Sequence, residues 1–112
     1  MDDSVKKYLE DILIAIGEVD TFFETHPRRY DVFEKNILLR RGVERNIEII
    51  GEAMSRILKA DNTVSITNAR KIVDTRNYVI HGYDTLRADI LWSIVINHFP
   101  LLKNEVEELL KK

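Results

Sequence analysis

Apolar residues recur at steps of three and four along most of the chain, and that spacing lays them on single faces of helices. Val5, Tyr8, Leu9, Ile12, Ile16, Val19 and Phe23 trace one such face over roughly Ser4 to Thr25. Asp2, Asp3 and Ser4 suit its start, where capping and acidic side chains meet free N–H groups and the positive end of the helix dipole. Gly17 falls inside this first helix and is read as a close packing point rather than a break, at a cost of about 1 kcal/mol against alanine. Pro27, in His26-Pro27-Arg28-Arg29-Tyr30, disfavours helix at His26 and marks a connection. Its two arginines are read as part of a solvated loop, ahead of a pair of phosphate contacts.

A second helix is predicted from about Asp31 to Ala60, with a first turn that can stand apart. Phe33, Ile37, Leu39, Val43, Ile47, Ile50, Met54, Ile57 and Leu58 form its buried face. At 1.5 Å per residue it spans roughly 40 Å, the length of a scaffold element. Ser65 or Thr67 is expected to cap a third helix from about Asn68 to His81, with Ala69, Ile72, Val73, Val79 and Ile80 on its apolar side. Gly82 sits where a left-handed residue closes a helix, because glycine takes positive φ without a Cβ penalty. A fourth helix begins near Asp84 or Thr85 and carries Ile90, Leu91, Ile94, Val95, Phe99, Leu102, Val106 and Leu109. Pro100 cannot continue the hydrogen-bond ladder, so a kink or break is expected around Ile96 to Phe99, with a short final helix from Leu101 to Leu110. Trp92 is read as core or interface. The fold class expected is all-α, an antiparallel bundle of four main helices with the last one broken near Pro100, as a single domain over residues 1–112.

Composition adds limits to this picture. Four glycines and two prolines in 112 residues leave few turn signals for a β fold. The absence of cysteine excludes disulfides and thiolate metal sites and fits a reducing cytoplasm. The acidic N-terminus has no apolar stretch of a signal peptide, and no apolar run approaches the roughly 20 residues of a membrane span, so a cytoplasmic protein without membrane attachment is expected. Net charge is −2, but residues 26–87 carry 12 Lys/Arg against 8 Asp/Glu. A mildly basic middle could meet a phosphate backbone, although ordinary surface patterning explains it better, since non-specific nucleic-acid binders are far more basic.

The chemically capable side chains concentrate in Asp74-Thr75-Arg76-Asn77-Tyr78-Val79-Ile80-His81-Gly82-Tyr83-Asp84. On a helix Asn77 and His81 share a face, while Arg76 and His81 point roughly 140° apart. A bend at Gly82 could turn His81, Asn77 and Tyr83 toward one cleft, with Arg76 reaching in from the side. Arg76 can hold a phosphate through two parallel N–H donors and stabilise a pentavalent transition state. His81 can move protons near neutral pH. With a ribose 2′-OH as internal nucleophile nothing else is obligatory, neither metal nor cofactor, and the substrate would be RNA. No HExxH, calcium-loop, Gly-rich phosphate-loop or nucleophile-elbow pattern competes with this reading. His26 and His98 are read as surface or packing residues. Glu52, between small residues in Gly51-Glu52-Ala53, could approach a neighbouring helix and pair with an arginine; a plain surface glutamate is the favoured reading.

The string Arg76-Asn77-Tyr78-Val79-Ile80-His81-Gly82-Tyr83 on the third helix resembles the signature of the HEPN superfamily, and more narrowly that of HepT-like toxins, whose pattern is Arg-x4-His-x-Tyr. The Gly51-Glu52-Ala53 segment of a long second helix and the proline-led last helix at Pro100 support the resemblance. It implies a metal-independent ribonuclease, the toxin of a type VII-like toxin–antitoxin pair, with a minimal nucleotidyltransferase as antitoxin. By position, Arg76 and His81 would be the catalytic pair and Asn77 a polar helper. Tyr83 would be the tyrosine that the partner modifies with AMP, silencing the toxin by placing negative charge and bulk beside the site. The resemblance further implies a homodimer, or a higher oligomer, whose two motifs face a shared cleft. Two alternatives stand beside it: a non-catalytic nucleotide- or substrate-binding partner of a nucleotidyltransferase, and a purely structural bundle in which Arg76, His81 and Tyr83 satisfy one another at a helix end.

Overall fold

Every regular element in the computed structural model is helical, within a description that covers residues 1–81 and 87–112, with 78–81 described by their backbone alone. In chain order these are α1 (Asp3–Thr25), α2 (Tyr30–Lys35), α3 (Ile37–Ala60), α4 (Ala69–His81), α5 (Ala88–Ser93), a π-helical turn (Ile94–His98) and α6 (Phe99–Leu110). The all-α bundle expected from the apolar periodicity is the fold observed. Gly82, Tyr83 and the expected start of the last helix at Asp84 or Thr85 lie outside the described residues, as do the side chains of Val79, Ile80 and His81.

The Asp2 carboxylate caps α1 by accepting from the Ser4 backbone N–H (3.2 Å) and hydroxyl (3.0 Å). Val5, Leu9, Ile12, Ala15, Ile16 and Val19 are buried along it. Gly17 corrects the sequence reading: the helix does run through it, but among the described residues a Cβ there would meet nothing within 4 Å, so it is no packing point. The close contact of α1 with α3 falls at Gly42 instead, where a Cβ would come within 2.8 Å of the Phe22 ring. One turn on, Asn46 is fully buried and returns its amide to Gly42 O (2.9 Å) and Glu18 Oε1 (3.4 Å).

The separate first turn of the second helix is real. Asn36 breaks it with extended backbone (φ −101°, ψ 98°), and its side-chain oxygen caps α3 through the Leu39 N–H at 3.0 Å. Ile37, expected on the buried face, is 56% exposed because it lies on the opposite side of the helix from Leu39, where the buried arc begins. Leu39, Val43, Ile47, Ile50, Ala53, Met54 and Ile57 then fill the arc. The approach to α4 differs from the expected cap. Thr67 donates its backbone N–H (3.0 Å) and hydroxyl (3.1 Å) to Glu105 of α6, and Asn68 adopts φ 61° immediately before the helix.

Pro100 interrupts the last helix as a change of pitch. Its missing N–H falls in the first turn of α6, and the Phe99 N–H reaches back five residues to Ile94 O, closing the π-helical turn. Leu91, Val95, Phe99, Leu102 and Val106 are buried along this segment; Ile90, expected beside them, is 44% exposed. Trp92 joins the core as expected, with ring centroids at 5.3 Å from Phe33, 6.0 Å from Phe23 and 6.1 Å from Tyr30. α3 is the central element, packed on α1 along one side and α4 along another.

Candidate active site

The candidate site is built where α3 meets α4. Gly51 is buried at this contact, and a Cβ on it would lie 2.1 Å from Arg76 Cβ, 2.7 Å from Arg76 Cγ and 3.1 Å from the Ile72 carbonyl oxygen. Only the hydrogen of a glycine fits between the helices here, so Gly51 sets how closely the arginine's helix approaches. Arg76 therefore stands on the α3-facing side of α4, with its stem covered and its side chain 19% exposed.

Its guanidinium is held at two points. Nη2 donates to Glu52 Oε2 and Nη1 to Asn77 Oδ1, each at 2.5 Å. Nε is buried and has no hydrogen-bond partner among the described residues. Glu52 also accepts from Arg56 Nε through its other oxygen, at 3.0 Å. The hydrogen bond from Arg56, followed by the charge of Arg76, lowers the Glu52 carboxyl below its ordinary value of 4.5. Arg56 in turn lies beside Tyr8 and Glu52, which raise its affinity for the proton it already holds. The sequence favoured a plain surface glutamate at position 52; the structure pairs it with two arginines. The signal was the close-packing pair Gly51-Glu52, and the partner 24 residues away was out of reach of any local spacing.

α4 is continuous from Arg76 through His81, so the advance of 100° per residue applies across the motif. Asn77 and His81 are one turn apart on a common side of the helix, and Arg76 is roughly 140° from His81. The structure thus brings together Arg76, Asn77 and Glu52. The side chain of His81 and the whole of Tyr83 lie outside the described residues, as does Gly82, at which a bend was expected.

Two hollows flank this region. A groove of about 460 Å³ runs between α1 and α3, lined in part by Tyr8, Arg45, Glu48, Glu52 and Arg56. A smaller cavity of about 160 Å³ lies between α3, α4 and α6, with Ile47, Ile50 and Phe99 on its walls and Lys71, Thr75 and His98 at its edge. Arg76 does not line this cavity, although Ile72, one turn before it, does. His98 is exposed there, and His26 is held at the end of α1 by Phe22 O at 2.9 Å, in line with the reading of both as surface or packing residues. Arg28 and Arg29 are exposed and paired with Asp20 and Asp31. No helix among the described residues is long and apolar enough to cross a membrane.

An all-helical fold with an arginine and a histidine on one helix, the arginine held by a carboxylate from the neighbouring helix, defines a class that family comparison resolves further. Residues 7–109 match the family described as ribonuclease HepT-like. A Methanocaldococcus jannaschii protein named "Putative RNase" is 38% identical over 105 residues, covering 92% of this chain and 94% of that one. A Thermococcus cleftensis protein named "Probable ribonuclease HepT" is 32% identical over 112 residues, covering 99% of this chain and all of its own. A second M. jannaschii protein named "Putative RNase" is 31% identical over 108 residues, covering 96% and 88%. No solved structure matches the chain. The chain belongs to the ribonuclease HepT-like family, and the enzyme class that goes with it is endoribonuclease.

Proposed function

We propose that this protein is a metal-independent endoribonuclease toxin whose catalytic pair is Arg76 and His81, and that a nucleotidyltransferase antitoxin silences it by transferring AMP to Tyr83. The observation that carries the reading is the fixing of Arg76 at the Gly51 contact by Glu52 and Asn77, on the same helix as His81. A guanidinium with two of its donors anchored in the protein still has N–H groups to offer a phosphate, and its orientation is set before substrate arrives.

In the reaction, the ribose 2′-oxygen attacks the adjacent phosphorus and the 5′-oxygen of the next nucleotide leaves. Arg76 stabilises the charge on the pentavalent phosphorus. His81 takes part in the accompanying proton transfers. Asn77 supports the site through its hold on Nη1. Silencing follows the same electrostatics. The Tyr83 hydroxyl attacks the α-phosphate of ATP and pyrophosphate leaves, so a phosphodiester-linked nucleotide stands two residues from His81. Its negative charge competes with the RNA phosphate for Arg76.

The test is expression of the chain alone in a bacterial host, beside His81→Ala. Growth arrest and RNA breakdown with the wild type only, and cleavage by the purified protein in excess EDTA, are the expected results. Equal growth and equal RNA integrity for both would refute the reading. For Tyr83, intact mass after incubation with a partner nucleotidyltransferase and ATP should rise in the wild type and stay constant in Tyr83→Phe.

A further inference from the structure

Arg76 is the side chain on which the proposed chemistry leans most, and what holds it is unusual in one respect: Glu52 divides its two oxygens between two arginines. Oε2 accepts from Arg76 Nη2, and Oε1 accepts from Arg56 Nε at 3.0 Å. The three groups come from two helices, with Glu52 and Arg56 one turn apart on α3 and Arg76 across the Gly51 contact on α4. Asn77 takes the other terminal nitrogen of Arg76. As a contributor to stability the Glu52–Arg56 pair is modest, because the Glu52 side chain is 43% exposed and that of Arg56 is 56% exposed; the Glu52–Arg76 pair is more sheltered. A partly exposed carboxylate that occupies one end of a largely covered guanidinium is placed to set its direction.

We infer that Glu52 is a positioning residue for Arg76, with Arg56 holding the Glu52 carboxylate in turn and Gly51 allowing the two helices close enough for the contact. The inference rests on the proposed ribonuclease reading and deepens it. An arginine side chain has many rotamers of similar energy, and each must be frozen out before its N–H donors meet a phosphate in the transition state. The Glu52 and Asn77 contacts remove that freedom in advance, so their effect appears in the chemical step more than in ground-state binding. The carboxylate specifically is needed. Glutamine at position 52 has one acceptor oxygen and could serve only one of the two arginines; its amide N–H₂ would face the other, donor against donor.

The test uses the full chain and an RNA substrate, comparing wild type with Glu52→Gln. The expected result is a fall in kcat of about 10- to 100-fold with KM within about threefold, since a misplaced catalytic group costs on that order. The midpoint of thermal unfolding should move by less than about 5 °C, because Glu52 is itself partly exposed and Arg76 keeps its Asn77 contact. A second readout is independent of turnover. In nitrogen-15 NMR the Arg76 guanidinium signals, assigned by their loss in Arg76→Lys, should be resolved by hindered rotation in the wild type and averaged in Glu52→Gln. Arg56→Ala, at an exposed position, provides a second variant should Glu52→Gln not fold, with an expected kcat loss of about 3- to 10-fold. If the wild type does not cleave RNA, the ribonuclease reading itself fails. If the wild type cleaves and Glu52→Gln keeps its kcat and its resolved Arg76 signals, positioning alone is overturned. A rise in kcat would also overturn it, since the carboxylate would then be masking the arginine.

Discussion

Gly17 and Gly51 each place a residue that helices disfavour inside a continuous helix, and their surroundings are opposite. At Gly51 a methyl group would collide with Arg76 Cβ and Cγ, atoms too near their own backbone to swing aside, and would press on the Ile72 carbonyl oxygen. Gly51→Ala should therefore cost about 1–3 kcal/mol through separation of α3 from α4, and should loosen Arg76 from Glu52 with it. At Gly17 there is open space among the described residues, so Gly17→Ala should stabilise by about 0.5–1 kcal/mol through helix propensity. Urea unfolding of both variants checks the pair: shifts of the same sign would contradict the packing described. The Glu52 carboxylate has its own signature. Its pKa in the folded protein lies below the ordinary 4.5, first through the Arg56 hydrogen bond and then through Arg76. Its contribution to stability is thus full above about pH 5.5 and is lost as pH falls through the depressed folded value. The unfolding free-energy difference between wild type and Glu52→Gln should be flat from pH 6 to 8 and shrink toward about pH 3. A difference that grew on acidification would mean the carboxylate is stabilised in its neutral form.

At the scale of the element, the break at Asn36 governs how α3 enters the bundle. Its side chain alone meets the Leu39 N–H at the new helix start, so Asn36→Ala should cost about 1 kcal/mol, read as a lower urea midpoint with an unchanged slope. The long helices were legible because seven or more apolar residues repeat at helical spacing in α1 and α3, and periodicity over five or six turns is hard to mimic. The ends of the buried arcs were not. Ile37 and Ile90 were counted with the apolar repeat, yet each lies about 160° round its helix from a buried residue of the same turn, Leu39 and Ala88, and so points off the buried arc. A proline announces an interruption without its form, and the ladder solved Pro100 by a five-residue π-helical turn. The two glycines could have been told apart on a helical wheel. Gly51 falls in line with buried Ile47 and Met54, whereas Gly17 falls in line with exposed Ile14 and Thr21. For the candidate site, Arg76, Asn77 and His81 were legible as a local string, and Glu52 only as a carboxylate able to pair with some arginine, the less favoured of two readings. Its role depends on a helix crossing that no short-range pattern encodes.

At the scale of the whole molecule, the proposed chemistry asks for more than one chain. Arg76 faces α3, and the helix continues unbroken to His81, about 140° further round. An arginine and a histidine so divergent on one helix meet a single phosphate most simply when the arginine comes from one protomer and the histidine from its two-fold mate. Complementation tests this directly. On the proposed reading, Arg76→Ala and His81→Ala should each be inactive alone. Mixed after mild denaturation and refolding, they should form a dimer in which one composite site has lost both groups and the other keeps both. Random pairing makes about half the dimers mixed, each with one intact site of two, so activity should return to about a quarter of the wild type per protomer. If both groups act from the same chain, every site in the mixture lacks one of them and no activity returns. Adding Glu52→Gln to one parent at a time sharpens the result. In the Arg76→Ala parent it falls on the site that is already dead, and the recovered activity should be unchanged. In the His81→Ala parent it sits beside the only working arginine, and the recovered rate should fall by the factor seen in the single variant.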